Sequence, residues 1–167
     1  MPDVIAPGLR VLFCGINPSL YSAATGHHFA RPGNRFWRAL HLAGFTSRQL
    51  TPGEDRELLR QGLGITNVVA RASRTAAEVS PQEFVEGGRL LRAKIERFRP
   101  RALAVLGVTA YRTAVAKPKA VMGEQSETLG DARLWVLPNP SGLNAHYQVE
   151  DLARLYGEMR RAIEPGG

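Results

Sequence analysis

The chain has 167 residues, 44% of them apolar, and its 22 Lys and Arg against 15 Asp and Glu give a formal charge of +7, with an isoelectric point of about 10.3. That length suits a single domain over residues 1–167 with a proper core, and no run approaches the roughly 20 apolar residues that a membrane span needs. The one cysteine, Cys14, excludes an internal disulfide framework, a four-cysteine zinc site and a four-cysteine iron–sulfur cluster.

Met1-Pro2-Asp3-Val4 lacks the basic start and long apolar run of a secretory signal, so a cytoplasmic protein is expected. Arg10-Val11-Leu12-Phe13-Cys14 is a short apolar run stopped by glycine and reads as a buried strand, with Cys14 a small hydrophobe within it. Asn34 to Ala43 reads as a helix: Asn34 can cap it, Phe36, Leu40 and Ala43 share a face, and Gly44 stands just past its end. Ile65 to Val69 is a second β-branched run, and Ser80-Pro81-Gln82-Glu83 a capping box whose helix should run toward Phe98 and stop before Pro100. Ala102 to Leu106 follows as a strand, Val108 to about Ala116 as a short helix, and Leu134 to Leu137 as another strand. The last helix spans about Val149 to Ile163, with Leu152, Leu155, Tyr156 and Met159 facing inward. Pro165-Gly166-Gly167 reads as a frayed end. Strands alternating with helices predict an α/β fold, a three-layer sandwich with a mainly parallel central sheet of about four strands flanked by helices.

In such sheets ligands gather beyond the carboxyl ends of the strands. The first strand is followed by Gly15-Ile16-Asn17-Pro18-Ser19-Leu20, and the fourth by Pro138-Asn139-Pro140-Ser141-Gly142-Leu143-Asn144. Each couples proline to asparagine in a rigid turn, which is also what a loop with no further task contains. Neither G-x-G-x-x-G after the first strand nor G-x-x-x-x-G-K-[ST] occurs, which argues against a dinucleotide or nucleoside-triphosphate enzyme. A domain this basic carries a footprint of nucleic-acid binding, although many basic proteins bind none.

Gly15-Ile16-Asn17-Pro18, then Thr25-Gly26-His27-His28-Phe29 with Pro32-Gly33-Asn34-Arg35-Phe36-Trp37, then Leu137-Pro138-Asn139-Pro140-Ser141-Gly142-Leu143 stand in this order within Arg10 to Ile163. In these motifs the sequence resembles the mismatch-specific uracil- and thymine-DNA glycosylases of the uracil-DNA glycosylase superfamily. The resemblance implies a monofunctional enzyme that acts on double-stranded DNA with U·G or T·G mismatches; a monomer is expected, and no cofactor. It would flip the pyrimidine out, hydrolyse its N-glycosidic bond and leave an abasic site for base excision repair. It assigns the attacking water to Asn17, whose amide can hold but hardly deprotonate it, and the ring that stacks on the flipped base to Phe29. Backbone groups around Ile16 and Phe29 would bond the base edge. Ser141, Gly142, Leu143 and Asn144 would form the wedge, with Leu143 filling the gap in the stack.

Other positions stay open between two roles. Asn67 either reaches the base or water or is a satisfied strand-end amide, and Ser22, with Tyr21, either screens a thymine methyl group or lines the mouth. Glu78 either assists the water or serves as a partner of the helix dipole. Ser19 stands where the family usually has glycine, and Arg71-Ala72-Ser73 where it has Arg-Pro-Thr. Arg35 and Arg74 are expected to grip phosphates, and His28 to bond within the pocket or to a phosphate. His27, His28 and His146 come without H-E-x-x-H or an accompanying carboxylate, so no metal is expected. Lys94, Lys117 and Lys119 lie outside the motifs, which argues against Schiff-base chemistry. The alternatives are a non-catalytic module that binds mismatched DNA, and a small-molecule hydrolase or transferase, which would need an acid–base pair or nucleophile that these loops lack.

Overall fold

A computed structural model describes residues 1–164 of the chain; the end formed by Pro165-Gly166-Gly167 lies outside the described residues. In chain order the regular elements are β1 (Val11–Gly15), α1 (Leu20–Thr25), α2 (Phe36–Leu42), a 3₁₀ segment (Pro52–Gln61), β2 (Leu63–Asn67), a 3₁₀ turn (Ala76–Glu78), α3 (Pro81–Phe98), β3 (Ala102–Leu106), α4 (Val108–Ala114), β4 (Gly123–Leu129), β5 (Ala132–Leu137) and α5 (Val149–Ile163). The sheet has the order β2-β1-β3-β5-β4, and every pair is parallel except β4 with β5.

The parallel strands are mostly apolar, with Thr66, Asn67 and Arg133 the exceptions, because both sides of the sheet are covered. Val11 and Phe13 face one way, toward Phe36 and Leu40 of α2 and Leu152, Tyr156 and Met159 of α5. Leu12 and Cys14 face the other way, toward Leu91 and Ile95 of α3 and Tyr111 of α4. The result is the expected three-layer α/β sandwich, with five strands rather than four. The missed strand is β4, Gly-Glu-Gln-Ser-Glu-Thr-Leu, a polar edge strand in which only Leu129 is buried. Its place in the sheet comes from the hairpin at Gly130, in the left-handed region at φ +55°, and not from any apolar pattern.

Boundaries moved by a residue or two. Helix α2 starts at Phe36 rather than Asn34, because the Asn34 carboxamide oxygen accepts the Phe36 N–H from outside the helix (2.9 Å). Strand β2 is Leu63–Asn67, so Val68 and Val69 fall beyond it; their N–H groups bond the Gly15 and Ile16 carbonyls (2.9 and 3.0 Å). Helix α1 was not foreseen at all. Ser19 caps it by accepting the Ser22 N–H (3.0 Å), and Gly26 ends it at φ +76°. The capping box at Ser80 and Glu83, and the bounds of α3 and α5, match the sequence reading.

Candidate active site

The register puts Gly15 beside Asn67, and Leu106 beside Leu137, so four strands end at one edge. The loops beyond that edge enclose a cleft of about 350 Å³. Gly15, Asn67, Leu106 and Asn139 supply its floor and walls, and Arg31 and Arg74 also line it. No carboxylate stands among its lining residues, and the one imidazole there is that of His28.

Asn17 lies in this cleft with its amide nitrogen fully engaged. Nδ2 donates to the Arg71 carbonyl and to the Ser73 hydroxyl, both at 2.8 Å. Ser73, itself buried, gives its own proton to the Thr75 carbonyl (2.7 Å), so toward Asn17 it can only accept. Both amide hydrogens are thereby used, and Oδ1 is the group left to meet a water. The two loops are tied at the backbone as well, by the Ser73 N–H on the Pro18 carbonyl (3.1 Å). Ile16 lines the cleft with its carbonyl turned to Val69 and its side chain against Gly107.

Phe29 holds a left-handed backbone, φ +52°, which a non-glycine residue adopts only under surrounding constraint. Those constraints converge on His28, whose N–H bonds Asp55 (3.1 Å), whose carbonyl accepts Trp37 Nε1 (3.1 Å), and whose ring Nε2 meets the Pro2 carbonyl (2.9 Å). Burial pushes the His28 pKa below its ordinary value, partly countered by the Pro2 bond and the nearby Asp55 and Asp3. The ring is therefore neutral and donates Nε2–H to Pro2. His28 borders the cleft and acts as a strut: of the two roles expected for it, its ring bond is to the Pro2 carbonyl at the pocket's edge and not to a phosphate. The Phe29 ring stacks on Phe36 with centroids 4.2 Å apart. A Cβ on Gly15 would come within 3.3 Å of that ring and 2.7 Å of Asn67 Oδ1, so Gly15, Phe29 and Asn67 are packed around one spot.

Asn67 has no side-chain hydrogen bond among the described residues, and its amide is free to read a ligand. Ser22 is buried, and its hydroxyl accepts the Ala30 N–H (3.0 Å), so it shapes the Phe29 loop while bordering the cleft. Tyr21 is half exposed and outside the cleft lining. Glu78 is not in the cleft either. Its carboxylate accepts the Arg74 and Thr75 N–H groups (2.7 and 3.1 Å), which lowers its pKa and makes it a capping group rather than a partner of the water.

Beyond β5, Asn139 Oδ1 accepts the Ser141 N–H (2.9 Å) and the Asn144 amide donates to the Asn139 carbonyl (3.1 Å), folding the loop on itself. Leu143 stands at its tip, 61% exposed. Arg35 was expected to grip a phosphate, but its guanidinium is committed to the protein. It donates to the carbonyls of Pro140 (3.3 Å), Ser141 (2.6 Å), Asn144 (3.1 Å) and Tyr147. Arg74 and Arg31, by contrast, have exposed side chains without hydrogen bond or ion pair to the described residues.

Sequence reasoning missed Ser73, Asn139 and Arg31 as parts of the site. Asn139 was legible in the quoted Pro-Asn-Pro and Ser73 in the Arg71-Ala72-Ser73 that replaces Arg-Pro-Thr, though neither had been given a role, whereas Arg31 carries no signal short of the folded loops. Among the described residues no three His, Cys, Asp or Glu side chains gather where a metal could sit.

A family model described as the uracil DNA glycosylase superfamily matches residues 2–160. Among solved structures, the chain is similar to a solution structure from Methanosarcina acetivorans described as a candidate uracil DNA glycosylase. The likeness has a TM-score of 0.61 at 16% identity and covers 96% of each chain.

Proposed function

From the chain's membership of the uracil DNA glycosylase superfamily, we propose that it is a monofunctional, mismatch-directed glycosylase that excises uracil, and related pyrimidines such as thymine, opposite guanine in double-stranded DNA. The enzyme works as a monomer, in the cytoplasm with the chromosomal DNA. Leu143 enters the base stack, the nucleotide rotates out, and its pyrimidine stacks on Phe29 with its polar edge toward Asn67 and the backbone near Ile16. The bond between the base and C1′ breaks with its electron pair going to the base, whose oxygens spread that charge into nearby donors. Asn17 Oδ1 holds the water whose oxygen bonds to C1′; the proton that water sheds neutralises the departed base anion, and an abasic site and free pyrimidine remain.

The observation that carries this reading is the locked amide of Asn17 in a cleft lined by no carboxylate. A base as good a leaving group as uracil requires placement of water more than its deprotonation, and the cleft offers placement. The test is a cleavage assay on a duplex with one U·G pair, with alkali to break abasic sites, beside U·A, T·G and single-stranded substrates. Strand breaks that need both the protein and Asn17, strongest for U·G, are expected. A wild type that binds the duplex but releases no base would make it a mismatch-binding module instead.

A further inference from the structure

Arg35 is the residue at which the start of α2 meets the loop beyond β5. We infer that it is a positioning residue that latches the 138–147 loop, holding Leu143 ready to enter the DNA stack; this rests on the glycosylase reading above. Residues 138–147 belong to no helix or strand, and only the Asn144 N–H on the Ser141 carbonyl joins the loop's backbone to itself. Side chains supply the order that a ladder of hydrogen bonds would give: Asn139, Ser141 and Asn144 bond within the loop, and Arg35 ties it to the start of α2. The Arg35 guanidinium gathers four carbonyls, of Pro140, Ser141, Asn144 and Tyr147, while its backbone N–H takes Pro140 again (3.0 Å). A planar group with five N–H donors can serve that many acceptors at fixed angles, which an ammonium cannot.

Among the described residues no carboxylate pairs with Arg35, in contrast to Arg48, Arg71, Arg89 and Arg133, each of which meets a glutamate. The same turn presses the loop from below: a Cβ on Gly142 would fall 2.7 Å from the Gly33 carbonyl, so only glycine allows this approach. Drawing the carbonyls inward onto the cation leaves the apolar Leu143 as the outward tip. The next residue, Phe36, is the platform beneath Phe29. The start of α2 therefore fixes both the ring that would receive the base and the plug that would replace it. A loop ordered in advance removes an entropy cost from the flipping step.

Hydrogen exchange of the 141–147 amides, read by mass spectrometry in wild type, Arg35→Ala and Arg35→Lys, tests the latch directly. Faster exchange in that loop is expected for Arg35→Ala, with a smaller change for Arg35→Lys and protected β1 and β3 in both. Single-turnover cleavage of a U·G duplex at saturating enzyme should fall about tenfold in Arg35→Ala, since bonds from a charged donor are being removed, with duplex affinity changing far less. Added to Leu143→Ala, the same substitution should cost little more, because both act on one step. Loop exchange unchanged by Arg35→Ala, or losses that multiply in the double variant, would overturn the latch. Should Arg35→Ala also lose protection in β1 and β3, Arg35→Lys decides alone: faster loop exchange with intact strands supports the latch, and unchanged exchange refutes it. A wild type that releases no base from any substrate sinks the glycosylase reading, and the exchange result still decides the latch.

Discussion

An aspartate at position 17 would differ from asparagine by one atom, yet the surroundings treat the two very differently. The Arg71 carbonyl and the Ser73 hydroxyl both await a donor at 2.8 Å, and Ser73 has already given its proton to Thr75. A carboxylate there would set oxygen against oxygen, so an Asn17→Asp side chain should hold a proton well above the ordinary carboxylate range. Its single-turnover rate on a U·G duplex is expected to climb with pH as that proton leaves and a true base appears. The wild type should be level above pH 6.5, the ordinary value of His28, below which that ring's pKa is displaced. A level profile for both proteins would refute the locked-amide account. Ser73→Ala tests the same lock more gently: losing one neutral hydrogen bond, worth about 1 kcal/mol, should slow cleavage about fivefold, and Ser73→Thr should keep the rate. The sequence pointed to Asn17 through the motif around it, but the direction of its amide depends on Arg71 and Ser73, more than fifty residues away. Arg35 shows the same limit. Its presence beside the wedge motif was legible, but whether it faces a phosphate or four carbonyls is decided by how the 138–147 loop closes over it.

Helix α3 carries two glycines in its middle, normally a weakness of about 1 kcal/mol each relative to alanine. Here they are the contact surface. A Cβ on Gly87 would stand 2.2 Å from the Val68 carbonyl, and one on Gly88 2.0 Å from the Ala114 carbonyl, both backbone atoms with nowhere to go. Gly87→Ala or Gly88→Ala should therefore lower stability by about 2 kcal/mol through overpacking, seen as a drop in the thermal midpoint; a midpoint that held or rose would show that the helix shifts freely. Because Val68 leads into the Arg71–Thr75 loop, the same variants should disturb Asn17. The strut at His28 gives the loop before α2 a pH signature. Burial lowers its folded pKa below 6.5, so in that range the unfolded chain binds a proton that the folded one does not. The stability from neutral His28 is then full above 6.5 and lost as pH falls through the window beneath it. The carboxylates of Glu54 and Glu83, held at about 2 by Arg48 and Arg71, act only below their ordinary 4.5. Urea midpoints should thus begin to fall as pH drops below 6.5, before the carboxylates act, and His28→Gln should flatten that fall; an unchanged slope in the variant would remove His28 as its cause. At this scale the sequence read well where apolar periodicity or capping carried the element, as in β1, β3, α3 and α5. It was silent for β4, whose polar strand is defined only by the hairpin partner, and for α1, too short to show a period.

Over the whole molecule, the +7 charge is distributed unevenly in kind as well as in place. Many arginines are neutralised locally, as Arg89 is by Glu86 and Arg133 by Glu124, and these exposed pairs contribute little beyond solubility. Arg31 and Arg74 are different: they reach from separate loops to the border of one cleft, and their guanidinium groups make no ion pair with a carboxylate among the described residues. If DNA lies across that cleft, its phosphates should settle on these two, displacing counterions that return to solution. Duplex binding should then weaken steeply with salt, and Arg31→Ala or Arg74→Ala should each reduce the slope of log affinity against log salt by about 0.9. Arg89→Ala provides the control, because it removes the same unit of net charge from an already paired site. Net charge acting at a distance beyond the screening length of about 10 Å would be felt weakly and equally by all three variants. Direct phosphate contact would separate the first two from the third. Fluorescence anisotropy titrations of a labelled U·G duplex from low to moderate salt read this difference. Three equal slopes would mean that the DNA path avoids Arg31 and Arg74, and that the basic character of the chain attracts DNA without guiding it to the cleft.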